Sequence, residues 1–205
     1  MKSEKINITS IALFSEDMSH RYNLRKEWNK SSSTATATVI SISPSSLYNV
    51  KSDLTTQLIT NNIYDLGFCS FELLNIYSKV DVDVKKVKTI EGLWDEETDL
   101  LLKASCDKTF KCEGGKIILA WGKLADNNKK HGEREKQVLD IIKPYLEKVF
   151  CICAPGARHF LHPLTPACRN NWILEPWSDY QGFKKKEVEE IDKREKEKLI
   201  KEDVV

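Results

Sequence analysis

Residues 38–46 read Thr-Val-Ile-Ser-Ile-Ser-Pro-Ser-Ser, a β-branched run that stops abruptly at a polar turn. β-Branched residues suit the pleated, half-buried surface of a sheet, so residues 38–42 predict a buried strand. Ser43-Pro44-Ser45-Ser46 predicts a loop directly after it, because proline and serine favour turns. A buried strand that ends in a polar loop is the unit that places a site at the edge of an α/β sheet.

The same unit recurs on both sides of this strand, with helical segments in between. Apolar and β-branched runs predict further strands, and amphipathic periodicity predicts helices. The predicted strands are residues 6–14, 20–28, 68–76, 116–122 and 149–153, and the predicted helices are residues 54–64, 94–104 and 134–149. Alternating strands and helices are typical of a mostly parallel sheet with helices on its faces. We therefore predict a three-layer α/β/α domain over residues 1–180.

A highly charged segment, residues 181–205, follows this domain. Acidic residues precede basic ones by four positions, as in Glu189–Lys193 and Glu197–Lys201, which is the favourable order on a helix. Residues 184–203 hold eight basic and eight acidic side chains, so they add no net charge. We expect a solvated helix, which is also the place where a protein partner could dock.

Composition excludes several classes of protein. The formal net charge of +1 argues against nucleic-acid binding driven mainly by charge, although it leaves room for a local basic patch. No segment has the length and purity of a membrane span, and the N-terminal apolar run is too short for a signal peptide. These features predict a cytoplasmic protein without a membrane partner, whose six cysteines are reduced.

Polar motifs end or follow four of the predicted strands. They are Ser43-Pro44-Ser45-Ser46, Asn75, Trp121-Gly122-Lys123 and the loop that holds His162-Pro163. Ligands of α/β sheets bind beyond the carboxyl ends of the strands, so these motifs predict one shared pocket. Each residue also has a structural explanation. Asn75 can cap a turn, Trp121 can fill the core and His162 can bond a backbone carbonyl.

Cysteines and histidines near the end of the domain suggest two other kinds of site. Cys151, Cys153, Cys168, His159 and His162 are potential zinc ligands, but their spacing lacks the Cys-x2-Cys pairs of common zinc sites. Strand alternation puts Cys151 and Cys153 on one face, which is typical of buried cysteine. A cysteine nucleophile would need a third, orienting residue, and none can be named. We therefore expect no metal and no other cofactor.

The ordered set of motifs resembles the uracil-DNA glycosylase superfamily. Its members have an Asp-Pro or Asn-Pro motif after the first core strand, a strand ending in Leu-Asn, another ending in Leu-Trp-Gly, and a late His-Pro loop. The corresponding segments here are Ser43-Pro44-Ser45, Leu73-Leu74-Asn75, Leu119-Ala120-Trp121-Gly122 and His162-Pro163-Leu164. The resemblance implies a fold like that of uracil-DNA glycosylase.

The chain is also similar to a bacterial and phage domain family of unknown function, roughly over residues 8–177. That family opens with Arg-Tyr-x-Leu-x-Arg-x-Trp and continues with Leu-Asn-Pro-Ser-Thr, Asp-Pro-Thr, and Asn-Leu-Phe or Asn-Leu-Tyr. The matching segments are residues 21–28, Ile42-Ser43-Pro44-Ser45-Ser46, Asp53-Leu54-Thr55 and Asn75-Ile76-Tyr77. The Trp-Gly and His-Pro-Leu elements complete the set.

The glycosylase resemblance implies roles for these residues. A DNA glycosylase extrudes a nucleotide from the duplex and breaks its N-glycosidic bond. By resemblance, Asn75 reads the base edge and His162 stabilises the departing base anion. Ser43 stands where the superfamily has a water-positioning Asp or Asn, and Asp53 is the candidate substitute because a hydroxyl is a poor general base. The remaining substrate-binding positions are Pro44, Ser45, Ser46, Tyr77, Trp121, Gly122 and Pro163.

Two hypotheses of function follow. The first is a DNA glycosylase-like protein that recognises a nucleobase or nucleotide and cleaves an N-glycosidic bond in DNA; Asn75 and His162 together favour it. The second is a module without catalytic activity that binds a nucleotide, DNA or a protein through the same cleft. Near-neutral charge and Ser43 favour the second.

Overall fold

Seven strands form one mixed sheet. The computed structural model describes residues 2–28, 34–47, 51–84, 86–87, 89–124, 129–155, 157 and 159–178. The strands are β1 (Ile8–Phe14), β2 (Arg21–Trp28), β3 (Thr36–Ser41), β4 (Ser70–Asn75), β5 (Lys116–Leu119), β6 (Val149–Cys153) and β7 (Ile173–Pro176). Their order across the sheet is β1-β2-β4-β3-β5-β6-β7.

The four central strands, β4, β3, β5 and β6, are parallel to one another. The outer strands β1, β2 and β7 run antiparallel to their neighbours. The predicted α/β class is therefore confirmed, and the parallel part of the sheet is its centre. The prediction omitted β7, because four residues that end in proline carry no alternation by which a strand is recognised.

Helices cover both faces of the sheet. They are α1 (Leu54–Asp65), α2 (Glu96–Lys111) and α3 (Lys129–Ile142), and α3 runs into a 3-10 helix over Lys143–Lys148. Ile59 and Ile63 of α1 belong to one hydrophobic cluster with the sheet. Leu102 of α2 and Val138 of α3 belong to the cluster on the opposite face. The structure therefore has the three predicted layers.

Three predicted helix boundaries were wrong, one of them the start of α3, which lies at Lys129 instead of residue 134. Helix α2 continues to Lys111, beyond the predicted end at residue 104, and Thr109 near its end is buried against Thr38 of β3. Helix α3 stops at Ile142 instead of residue 149, since Pro144 in the following 3-10 turn cannot continue an α-helical hydrogen-bond ladder. The predicted charged helix over residues 181–205 lies outside the described residues. Within the described part of the chain, no helix is long and apolar enough to cross a bilayer.

A buried carboxylate fastens α2 to the sheet. Glu72 of β4 accepts hydrogen bonds from the Ser105 hydroxyl and the Lys108 ammonium group of α2. Burial by itself raises the pKa of Glu72, but the hydrogen bonds from Lys108 and Ser105 outweigh it and bring the pKa below its ordinary value. The ionised form of Glu72 therefore stabilises the folded chain.

This arrangement predicts a pH-dependent stability. The pKa of Glu72 is lower in the folded chain than in the unfolded chain, so its contribution is present above about pH 4.3 and is lost as the pH falls further. Glu72→Gln should lower the free energy of unfolding by about 1–3 kcal/mol at pH 7, with the difference from wild type shrinking toward pH 3. Denaturant titrations across this range measure it. Glu27→Gln, at a more exposed carboxylate of β2, is the matched control and should change little. A Glu72→Gln difference that stays constant with pH would contradict the prediction.

Candidate functional site

A cavity of about 870 Å³ opens at the carboxyl ends of the central parallel strands. The ends of β3 and β4, the turn after β5, the loop after β6 and the first turn of α1 all contribute to its wall. Eight predicted site residues line it: Ser43, Pro44, Ser45, Asp53, Asn75, Trp121, Gly122 and His162. The structure thus brings together motifs that lie more than a hundred residues apart in the sequence.

The loop after β3 is held by Asp81. The Asp81 backbone N–H donates to the Pro44 carbonyl at 3.0 Å, and its carboxylate accepts from the Ser46 N–H at 3.0 Å. Asp81 has a positive φ of 55°, which is uncommon for a residue other than glycine. Ser46 is exposed and does not line the cavity. Ser43 does line it, and its hydroxyl donates to the Val82 carbonyl at 3.3 Å.

Asp53 is the N-cap of α1. One carboxylate oxygen accepts from the Thr56 N–H at 3.0 Å and the other from the Thr56 hydroxyl at 2.8 Å. Such a cap satisfies a backbone donor that the helix leaves unpaired. Asp53 reaches the cavity wall, but both of its oxygens are engaged by Thr56. This arrangement weakens the interpretation of Asp53 as a general base in place of Ser43.

Asn75 is the last residue of β4 and pairs in register with Ser41 of β3. Its side chain is 3% exposed, yet its Oδ1 has no hydrogen-bond partner among the described residues. The hydrogen bonds of the described residues therefore do not support the alternative explanation, in which Asn75 caps a turn through Oδ1. Buried side-chain acceptors in folded proteins are nearly always paired, which makes this one a candidate ligand contact.

Trp121 and Gly122 form the turn after β5. Trp121 packs edge-on against Phe160 with ring centroids 5.3 Å apart, as a core residue would. Its indole N–H, however, is buried without a partner among the described residues. Gly122 has a φ of +64°, and a Cβ placed there would lie 3.0 Å from the His162 backbone nitrogen. Only glycine lets the two loops approach so closely.

His162 lies in the loop after β6, and a backbone N–H forms a hydrogen bond with one of its ring nitrogens. The Leu164 N–H donates to His162 Nδ1 at 3.2 Å. In the neutral ring this bond places the proton on Nε2, which is then a donor. The sequence suggested that His162 could bond a backbone carbonyl, whereas Nδ1 accepts from a backbone amide. His159, which the motif order did not select, also lines the cavity.

Two predicted ligand-binding residues are buried elsewhere. The Tyr77 hydroxyl lies 2.6 Å from His131 Nδ1, and its ring packs against Trp94. Burial raises the pKa of Tyr77 to about 12, so the phenol stays neutral. Neither Tyr77 nor Pro163 lines the cavity. Tyr77 packs in the core behind the site and does not contribute to the cavity wall.

The sequence-based prediction missed Arg21, which lines the cavity although it belongs to β2, outside the parallel centre of the sheet. Its side chain is 1% exposed, and one guanidinium nitrogen donates to the carbonyls of Ser45 and Leu47 at 3.0 and 3.3 Å. Burial lowers the pKa of Arg21 to about 10, against the opposing effect of Asp53 and Asp81, and the group remains charged at neutral pH. The Arg-Tyr motif at residues 21–22 was the available signal.

The cysteines near the site are buried in the protein interior. Cys151 and Cys153 are buried on β6 with their sulfur atoms 3.6 Å apart. The Cys168 thiol donates to the carbonyls of His162 and Thr165. No group of three or more potential metal ligands of the His, Cys, Asp or Glu type occurs in the described portion of the chain.

Fold and cavity together define an α/β protein with a ligand pocket at the carboxyl edge of its parallel strands. The chain belongs to the DUF1643 family, described as a protein of unknown function, whose model matches residues 21–164. That match covers the motifs from Arg21 to His162 that build the cavity. Comparison with curated proteins and with solved structures gave no match.

Proposed function

We propose that this protein recognises a nucleobase or nucleotide in the strand-end cavity, on a fold of the uracil-DNA glycosylase type. The observation that carries the proposal is Asn75, a cavity-lining amide whose buried Oδ1 has no partner among the described residues. A buried polar atom without a partner costs about 1–3 kcal/mol, and a ligand N–H would remove that cost. Support for the fold comes from the four motifs of the resemblance, which follow four adjacent parallel strands or end them.

The other polar groups of the wall suit a base. A nucleobase edge alternates ring N–H groups with carbonyl oxygens or ring nitrogens, so it needs both acceptors and donors from the protein. Asn75 supplies both through its amide. Trp121 Nε1 is a donor only, and Nε2 of neutral His162 is another. Apolar side chains such as Phe160 and Leu161 complete the wall and favour a flat, partly apolar ligand.

Cleavage of an N-glycosidic bond is the second candidate function, and the ring of His162 favours it. A donor on Nε2 can stabilise the anion that develops on a departing base. The other requirement, a water-positioning base, has weaker support. The Ser43 hydroxyl donates to Val82 and can only accept from a water, while both oxygens of Asp53 are engaged by Thr56. Base recognition therefore ranks above catalysis.

A base-release assay tests the catalytic candidate. Single- and double-stranded oligonucleotides that carry uracil or modified pyrimidines are incubated with the protein, and free base is quantified by mass spectrometry. If cleavage occurs, His162→Ala should slow it by about 100- to 1,000-fold, as loss of one donor to a developing anion does elsewhere. His159→Ala, the other cavity histidine, is the control and should retain most of the rate.

The outcomes separate the candidates. Release of a base that His162→Ala slows by about 100-fold or more supports a glycosylase. Binding of nucleosides or oligonucleotides without release supports the recognition module. Failure to bind any nucleoside, nucleotide or oligonucleotide in calorimetric titrations would overturn the proposed function.

A further inference from the structure

Arg21 carries a buried charge whose partner the described chain does not supply. The side chain is almost fully buried, and its Nε has no hydrogen-bond partner among the described residues. Its two observed bonds go to neutral backbone carbonyls, those of Ser45 and Leu47. Among the described residues, the ion pairs of the structure do not include Arg21. Buried charges in proteins are normally paired or bound to a ligand of opposite charge.

A local irregularity in β2 directs this side chain toward the cavity. In the pairing of β1 with β2, Leu13 is opposite Asn23 and Phe14 is opposite Arg21, so Tyr22 is passed over. Arg21 and Leu24 are three positions apart and would face opposite sides of a regular strand. With Tyr22 passed over they share a face, the one that also carries Leu73 and Asn75 of β4. Bulges of this kind commonly re-aim side chains at functional sites.

The two carboxylates whose charges act on Arg21, those of Asp53 and Asp81, accept hydrogen bonds from other groups. Asp53 caps α1 through Thr56, and Asp81 accepts from the Ser46 N–H. Both reduce the positive potential at Arg21 without forming an ion pair with it. Arg21 lines the cavity and its guanidinium is in none of the described ion pairs, which suits a ligand anion that accepts a hydrogen bond from it.

The cavity also has room for more than a base. Its volume of about 870 Å³ is near the upper end of the roughly 300–1,000 Å³ typical of pockets for small ligands. The cavity lining thus combines Asn75, whose Oδ1 has no described partner, with a buried cation, Arg21. A molecule that satisfies both has an N–H-bearing edge and an anionic group.

We infer that the ligand is a phosphorylated nucleotide, with its phosphate bound by Arg21 and its base edge by Asn75. The inference rests on the proposed function and adds that the ligand carries a phosphate group. The phosphate can belong to a free mononucleotide or to a nucleotide within a DNA strand. Both present the same chemistry to Arg21.

Calorimetric titration of the whole chain distinguishes these possibilities. Deoxynucleosides of uracil, thymine, cytosine, adenine and guanine are compared with their 5′-monophosphates and with short single-stranded oligonucleotides of the same bases. We expect the phosphate to increase affinity by about 10- to 100-fold, the usual gain from hydrogen bonds to a charged group. Tightest binding by monophosphates indicates a free nucleotide, and tightest binding by oligonucleotides indicates a strand.

A substitution assigns the gain to Arg21. Arg21→Gln removes the charge, but its shorter amide does not reach the Ser45 and Leu47 carbonyls, so nucleoside affinity reports whether the loop is still intact. We expect it to remove the 10- to 100-fold advantage of the monophosphate while nucleoside affinity changes much less. Arg25→Gln, on the same strand and in an ion pair with Glu27, is the matched control and should retain the advantage.

Three results would overturn the inference. Equal affinity for nucleoside and monophosphate in the wild type would refute the anion site and leave base recognition standing. Equal losses of nucleoside and monophosphate affinity in Arg21→Gln would show that Arg21 only holds the loop. Absence of binding by every nucleoside, monophosphate and oligonucleotide would refute the proposed function together with this inference.

Discussion

Asn75→Leu should abolish ligand binding without destabilising the protein. Leucine has the same branched shape as asparagine, with larger terminal groups, and removes a buried acceptor that has no partner among the described residues. Replacing an unsatisfied polar group by an apolar one is neutral or stabilising, by up to about 1 kcal/mol in the free energy of unfolding. Loss of the contact to the base edge should weaken nucleotide binding by about 100-fold or more. Denaturant unfolding and calorimetric titration measure the two effects on one protein.

Asn62 provides the matched control for this experiment. It is as deeply buried as Asn75, but its amide donates to the Leu58 and Arg169 carbonyls and accepts from the Trp172 N–H. Asn62→Leu should therefore lower the free energy of unfolding by about 1–3 kcal/mol, because it leaves buried backbone groups unpaired. If Asn75→Leu destabilises the chain as much as Asn62→Leu, the Asn75 amide has a structural role and the ligand contact loses its support.

Gly122→Ala should have the second large effect, on both stability and binding. A residue with a side chain pays about 1–2 kcal/mol for the left-handed backbone at this position. The added Cβ would in addition lie 3.0 Å from the His162 nitrogen and 3.2 Å from its Cβ, so the His162 loop must move. We expect a total loss of about 2–4 kcal/mol in the free energy of unfolding and at least about tenfold weaker binding.

Gly92 separates the two causes. It has a similar φ of +70°, but a Cβ there meets nothing within 4 Å. Gly92→Ala should cost only the backbone term, about 1–2 kcal/mol, and leave ligand affinity unchanged. Equal destabilisation by the two alanine substitutions would mean that contact between Gly122 and His162 does not constrain the site.

The sequence predicted six of the seven described strands close to their observed positions, including β1 and β2 on one side of the sheet. The strand and helix pattern between residues 36 and 119 emerges close to its predicted positions, because buried strands and amphipathic helices have distinct periods. At the margins, β7 is too short to show a period. The end of α2 was also missed. Thr109 is buried there and shares a hydrogen bond with Thr38, and a polar residue in the sequence does not predict such burial.

The candidate site was predictable only where a motif ends a strand. Ser43, Asn75, Trp121 and His162 follow or end strands, and the parallel direction of those strands was enough to expect them at one edge. Tyr77 follows the same strand as Asn75 but bonds His131 in the core instead of the cavity. Beyond the end of a strand, the alternation of side chains between the two faces no longer predicts which of them lines the cavity.

The sequence by itself determined the α/β class, the order of strands and helices and the residues that stand at the ends of the parallel strands, because these follow from local periodicity and turn chemistry. Tertiary structure decided which of them share a cavity. It turned Arg21 inward at the irregularity near Tyr22 and left the Asn75 oxygen without a described partner. Both outcomes depend on pairing and packing between segments far apart in the chain, and no local pattern records such contacts.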